Sequence, residues 1–417
     1  MIKNILSEFK YRRRRRKIIR LTLAFLFVSI FLIILSSQTS KIEFDLETYH
    51  PKIEKSVEIN FDGEVYFNDE INTTVFTDLI VSQIESAKES IHIAMYSFDM
   101  QLVRDALVSA YDRGVDVTLV FDQSKKEQHD HVFADDLNKF KIFHIGGDIE
   151  TSGDYMHHKF MIVDPETSHP SLLMGSLNYT RLQELYDPSF IMKTSDPDLI
   201  EAFNDEFELL TEDKRGYKKF REESFQPFSR NLTYNNGHVE AWFSPGFKSN
   251  SVKQRMLDLI EDAGTSIDIM IWRMTDEDIA KSLFIKASEG VNVRILTDDL
   301  FLLEKNSAIM HLYERVLFSN NQNIEIVSDF SRVDMLSNEN LGPNFNPFLH
   351  QHTIIVDDLT VLTGTNNWSY NGFHKNDESV ILTDVPNVVD AFIDSFNNHY
   401  EYLSEDSRNY LSKDPIL

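Results

Sequence analysis

Two kinds of hydrophobic pattern alternate along most of this chain. A stretch with helical spacing (Phe76 to Ala87) precedes a short β-branched run, Ser90-Ile91-His92-Ile93-Ala94-Met95-Tyr96. A second helical stretch (Gln101 to Asp112) precedes a Gly-Val-x-Val strand at Gly114 to Asp122. The same succession returns at Val252 to Ala263, Ser266 to Trp272, Asp276 to Ser288 and Gly290 to Asp298. Alternating helix and strand predicts an α/β fold, with parallel strands buried between helices. Two further amphipathic helices carry Ala202, Phe203 and Phe207, and Ala391, Phe392 and Phe396, whose spacing assigns them to core.

The repetition is a duplication in register. Glu64 to Asn68 matches Glu240 to Ser244, Ser90 to Tyr96 matches Ser266 to Trp272, and Gly114 to Asp122 matches Gly290 to Asp298, all at an offset of 176 residues. Two homologous halves are therefore expected, over 61–212 and 239–404. A polar linker joins them over 213–238, and a tail follows over 405–417. Halves packed about a pseudo-twofold axis would bring equivalent residues together, which predicts a site at their interface, complete within one chain and requiring no oligomer.

A different pattern precedes the duplicated body. No charge occurs over residues 21–40, and a helix of that length covers the ~30 Å hydrocarbon core of a bilayer. Residues 1–20 hold nine basic groups against Glu8, while Glu43, Asp45 and Glu47 flank the other side. This asymmetry predicts a single-pass membrane helix with a cytoplasmic N-terminus, an acidic stalk over 41–60 and an extracytoplasmic body. A cleaved signal peptide shares the basic start and apolar middle, but Leu35 to Ser40 make a poor cleavage site.

Composition narrows the chemistry. With no cysteine among the 417 residues, thiol nucleophiles, disulfides and Cys-ligated metal centres are excluded. The net charge of −26 combines +8 on residues 1–20 with −34 on the rest, a field that disfavours nonspecific capture of nucleic acid.

Each half carries one polar constellation. The first is His157-His158-Lys159 with Asp164, then Gly175-Ser176-Leu177-Asn178. The second is His350-Gln351-His352 with Asp357, then Gly364-Thr365-Asn366-Asn367. On a strand, His157 and Lys159 share a face about 6.6 Å apart and can converge on a small anion, while His158, Phe160 and Ile162 face the other way. His350 with His352, and His129 with His131, invite a metal reading, but neither pair has a third ligand in fixed spacing, so no metal is expected. Trp242 and Trp272, the counterparts of Tyr66 and Tyr96, are expected in the core, and Trp368, beside Asn367, on the rim of a cleft.

The paired constellations resemble the phospholipase D superfamily, marked by two copies of His-x-Lys-x4-Asp followed by Gly-Ser-x-Asn. The resemblance covers about residues 62–400. The first copy matches throughout; in the second, Thr365 replaces serine and His352 stands in place of lysine. Asn376-Asp377-Glu378 looks like the family's downstream Asn-x-Glu, whereas the first copy has Asp187-Pro188-Ser189 there.

The resemblance implies two-step phosphodiester cleavage without metal or cofactor, through a phosphohistidine. His157 is then the nucleophile and His350 the acid and base, although the reverse assignment stays open. Lys159, Ser176, Asn178 and Asn367 would bind phosphate oxygens, with His352, Thr365 and Glu378 assisting. Asp164 and Asp357 complete the catalytic set as orienting or supporting groups. His352, with an ordinary pKa of ~6.5, predicts activity leaning toward acidic pH. The implied substrate is a phospholipid, hydrolysed or transferred, with nucleic acid as the alternative and a decayed phosphate-binding scaffold as the non-enzymatic one. A cleft that is basic despite the overall charge would favour the nuclease.

Overall fold

The computed structural model describes residues 54–56, 59–68, 73–147, 154–212, 229–246, 251–302, 304–319, 321, 323–328 and 349–411. The basic segment, the expected membrane helix and most of the stalk lie outside the described residues. Among those described, no helix is long and apolar enough to cross a membrane.

A short strand, β1 (Glu54–Ser56), precedes the first half. That half contains β2 (Glu64–Phe67), β3 (Ser90–Met95), β4 (Asp116–Asp122), β5 (Lys141–Ile145), β6 (Lys159–Val163), β7 (Ser171–Gly175) and β8 (Phe190–Thr194). The second half contains β9 (Ser229–Tyr234), β10 (Gly237–Ser244), β11 (Ser266–Ile271), β12 (Asn292–Thr297), β13 (Ile324–Ser328), β14 (His352–Val356), β15 (Thr360–Gly364) and β16 (Glu378–Thr383).

The first sheet runs β2-β8-β7-β6-β3-β4-β5. In the second, β10-β16-β15-β14-β11-β12-β13 repeats that order strand for strand, with β9 and β1 added at its edge. The duplication read from the chain is therefore a duplication of topology.

Within the repeated seven-strand order, only β3, β4 and β5, and their counterparts β11, β12 and β13, are mutually parallel. The expectation of parallel sheets needs correction for the other strands of that order, which pair antiparallel. The connections from β6 to β7 and from β14 to β15 are too short for the crossover that parallel pairing requires, so each pair closes as an antiparallel hairpin.

Three apolar layers hold the halves. Helices Val75–Ser86 and Gln101–Asp112 bury Phe76, Ile80, Val103 and Leu107 against the outer face of the first sheet. Helices Val252–Asp262 and Glu277–Ser288 do the same for the second with Met256, Ile260 and Leu283. Between the sheets lie the helices Pro197–Thr211 and Pro386–Leu411. Their Phe203, Phe207, Phe392 and Phe396 share one core with Phe160 of β6 and Phe243 of β10, as the helical spacing predicts. The edge of Phe203 meets Phe243 at a centroid distance of 5.1 Å, so aromatic contacts tie the halves directly.

The expected linker over 213–238 ends as structure, which corrects that boundary. Strand β9 pairs antiparallel with β10 across a turn ending at Gly237, whose φ of +147° suits glycine. The two-residue loop is Asn235-Asn236, closed by Gly237, and this short turn gives the polar stretch a hairpin. The end of the stalk is also folded: β1 pairs parallel with β9, and the Phe61 N–H donates to Asn236 Oδ1 at 2.7 Å.

Candidate active site

The two constellations occupy one register. Lys159 opens β6 opposite Met95, and His352 opens β14 opposite Ile271, the repeat counterpart of Met95. His157 and His350 thus sit two residues ahead of their strands. The Tyr96 N–H donates to His158 O at 3.1 Å and the Trp272 N–H to Gln351 O at 3.2 Å. A buried carboxylate anchors each entry: Asp122 Oδ2 accepts from the Met156 N–H at 2.8 Å, and Asp298 Oδ2 from the Leu349 N–H at 3.4 Å.

The first entry segment also pairs across the halves. The His157 N–H donates to Asp377 O and the Asp377 N–H to Tyr155 O, both at 2.9 Å. This bridge brings Glu378 beneath His157, with Nδ1 2.7 Å from Oε2. Glu378 also accepts from Thr365 Oγ1 at 2.7 Å and from Asn376 Nδ2 at 2.9 Å. An imidazole that gives its Nδ1 proton to this carboxylate keeps the lone pair on Nε2 free for chemistry.

His157 and His350 line one cavity of about 390 Å³ together with Asn178, Asn367, Tyr96, Tyr155, Trp272, Lys125 and Arg273. Lys159 lies behind His157, its Nζ donating to His157 O at 2.8 Å and standing 5.6 Å from the centre of the Tyr96 ring.

Burial dominates the electrostatics. Burial first, and then the charge of Lys159, hold the His157 imidazole well below its ordinary range and therefore neutral. Burial brings the Lys159 ammonium down to about 7, although Glu378 and Asp122 favour its charge. Burial likewise pushes the Glu378 carboxyl up to about 7 against Lys159, Asn376 and Thr365.

Several residues expected in the site sit elsewhere. Asp164 and Asp357, placed in the catalytic set, lie at the far ends of β6 and β14. Asp164 accepts from the N–H groups of Lys88, Glu89 and Ser90, and Asp357 from those of Gly264, Thr265 and Ser266. Both have positive φ, and their task is to hold the loop before the neighbouring strand. Ser176 is fully buried, and its Oγ accepts from the Phe190 N–H at 3.2 Å. Thr365 takes the Ser379 N–H and gives its proton to Glu378, so both hydroxyls are engaged within the fold. Glu378 braces His157 and does not line the cavity. The glycines of the same motifs have a steric reason: a Cβ on Gly175 or Gly364 would run into the carbonyl of Phe190 or Ser379.

His352 is buried, and burial, His350, Lys159 and His157 all hold its proton affinity well below the usual histidine range. The expectation that it titrates near 6.5 and tilts activity toward acid is corrected accordingly.

The tryptophans exchange places with their expected positions. Trp272 lines the cavity 6.0 Å from the His350 ring, as its counterpart Tyr96 does 4.8 Å from His157, whereas Trp368 is core. Trp242 packs half-buried on the outer core. His129 is buried and stacked on Phe121 at 4.2 Å while His131, two residues along the same helix, is exposed, so they do not converge. Among the described residues, no group of three His, Asp or Glu side chains could hold a metal ion.

The family model described as cardiolipin synthase, PLD-like domain, matches residues 80–211 and 256–400, one match for each half. The chain belongs to the phospholipase D superfamily. Among its relatives, the mitochondrial cardiolipin hydrolase of Chlamydomonas reinhardtii is 28% identical over 125 residues, 30% of this chain and 52% of that protein. Phospholipase D of Rickettsia conorii is 28% identical over 127 residues, 30% of this chain and 60% of its own length. The chain thus spans only about half to three fifths of these relatives. Phosphatidylserine synthase of Haemophilus influenzae Rd KW20 shares the fold, with a TM-score of 0.58 at 15% identity over 81% of this chain and 86% of that one.

Tyr96, Trp272, Asp122 and Asp298 were missed as site residues. Their signal was in the chain, since each pair recurs at the offset of 176.

Proposed function

We propose that this member of the superfamily is a phosphodiesterase acting on phospholipids in two steps. His157 Nε2 attacks phosphorus, forming a P–N bond as the P–O bond to the leaving group breaks, and the leaving oxygen takes a proton from His350. Water then gives a proton to His350 and its oxygen to phosphorus, releasing His157. Lys159, Asn178 and Asn367 hold the phosphate oxygens. The contact between His157 and Glu378 carries this proposal, because it fixes one tautomer of a neutral imidazole in a cavity that His350 also lines. The uncharged run over 21–40, flanked by the basic N-terminus, supports a tether that places the body outside the cytoplasm, beside its lipid.

One observation favours a nuclease as the second reading. The cavity is lined by Lys125 and Arg273 with Tyr96, Tyr155 and Trp272, and among the described residues by no carboxylate, a combination that also suits a nucleotide strand. The full chain should be assayed in EDTA against phosphatidylcholine vesicles and a single-stranded oligonucleotide. Vesicle turnover is expected; oligonucleotide cleavage alone would install the nuclease, and turnover of neither would leave the scaffold.

The pH profile of kcat/KM should be bell-shaped about neutrality. Lys159 must keep its proton and Glu378 must lose one, and both groups sit at about 7. The limbs belong to the coupled cluster rather than to single residues. Lys159→Arg should carry the alkaline limb upward by more than about one pH unit, because guanidinium stays charged. An unmoved limb would assign it to another group.

A further inference from the structure

Between the two motif residues of the first half stands a histidine that takes no part in the two-step reaction. His158 points from the entry of β6 into the apolar layer between the sheets, where its Nε2 lies 3.0 Å from Oε1 of Glu206 on the helix Pro197–Thr211. Both residues are fully buried. Phe160 and Phe243 meet the imidazole edge to face, with ring centres 5.4 and 6.2 Å away. Among the described residues, the bond to Glu206 is the only one the ring makes. A carboxylate in such surroundings needs a cation beside it, and so does an imidazolium.

The duplication supplies the comparison. Pro197 to Phe207 and Pro386 to Phe396 align at an offset of 189, which makes Ser395 the counterpart of Glu206, while the two motifs make Gln351 the counterpart of His158. The second half therefore has no ionisable side chain at either position. His157 is also the histidine that Glu378 braces, and the first-half residue equivalent to Glu378 is Ser189. Burial acts first on both members of that contact, lowering the proton affinity of His157 and raising that of Glu378. Lys159, His158 and Lys125 then lower His157 further, against Thr365, and Lys159, Asn376, Thr365 and His158 lower Glu378. A cation at His158 thus favours the neutral imidazole together with the ionised carboxylate.

We propose that His158, charged against Glu206, is a positioning residue that keeps the contact between His157 and Glu378 in its reactive proton state. The proposal rests on the two-step reading of the site. Because the pair stands in one half only, it breaks the equivalence of the two histidines in favour of His157 as nucleophile.

Nitrogen NMR of the full chain carrying isotope-labelled histidine tests this beside the pH profile of kcat/KM. The His157 Nδ1 signal, assigned with His157→Ala, follows the ionisation of its partner Glu378, whose midpoint lies at about 7. His158→Gln should raise that midpoint by at least about half a pH unit. The acid limb of kcat/KM should move upward with it, since the carboxyl keeps its proton to higher pH, and the alkaline limb should stay with Lys159. Glu206→Gln, which strips the imidazole of its counter-charge, should act in the same direction. Where either variant fails to fold, His158→Gln combined with Glu206→Ser gives the first half the residues that the second half already accommodates, and it decides the matter. A packing role alone would lower the folded fraction and move neither midpoint nor limb, which would overturn the proposal. A raised midpoint in a chain whose wild type turns over no phosphodiester would support the action of His158 on the contact and overturn the two-step reading instead.

Discussion

His157→Ala is expected to lower phosphodiester turnover by at least about 10³-fold while leaving the fold intact. Removing a nucleophile removes the covalent route itself, and only the binding and electrostatic contributions of the site remain. The loss of stability should be small. His157 is one of the side chains lining the cavity, and its backbone bridge to Asp377 does not depend on the ring. Glu378→Gln should retain the packing yet cost on the order of 10²-fold, because an amide can present its own N–H to Nδ1 and stabilise the wrong tautomer. Single-turnover kinetics with acid-quench trapping of phosphoenzyme separate the two. His157→Ala should form none, whereas Glu378→Gln should form it slowly. Phosphoenzyme persisting in His157→Ala would transfer the nucleophile's role to His350.

The duplication, the succession of helix and strand and the two histidines were legible because they depend on local pattern and on its recurrence. The exact repeat of 176 residues makes β3 the equivalent of β11 and β4 that of β12. What escaped depended on direction and burial. Glu378 was recognisable as a motif residue, but its partner His157 lies 221 positions away in the other half. A string of letters does not reveal that the carboxylate braces an imidazole instead of touching substrate. Trp368 adjoins the motif residue Asn367 and Trp272 does not, yet it is Trp272, at the end of β11, whose ring lines the cavity. The neutrality of His352 arises from burial together with His350, Lys159 and His157, contributed by both halves, so it could not be read from the reference pKa of one residue. In contrast, the hairpin at Asn235-Asn236 was signalled by its run of turn residues and obscured by the polarity of its surroundings.

Asp164→Ala should show the opposite behaviour to His157→Ala, with a large loss of stability and unchanged turnover per folded molecule. The carboxylate accepts three backbone N–H groups at 2.8–2.9 Å, from Lys88, Glu89 and Ser90, and alanine leaves those donors without it. The expected cost is about 3–5 kcal/mol, or a fall in Tm on the order of 10 °C. Asp357 holds the loop at Gly264 to Ser266 in the same way. Against the burial that would raise it, the hydrogen bonds from Gly264, Ser266 and Thr265 keep its carboxyl down at about 2. Because the folded value lies below the unfolded one of ~3.9, the stabilisation is complete above about pH 4 and is lost as pH falls through about 2. Asp357→Asn should therefore flatten the acid side of the stability curve as well as lower its plateau. Thermal melts across pH, read beside specific activity corrected for folded fraction, check both variants. A kcat that fell with the folded fraction held constant would return these aspartates to the catalytic set. An unchanged kcat would identify the last position of each His-x-Lys-x4-Asp motif as the clamp that lets β6 and β14 deliver their histidines to the cavity.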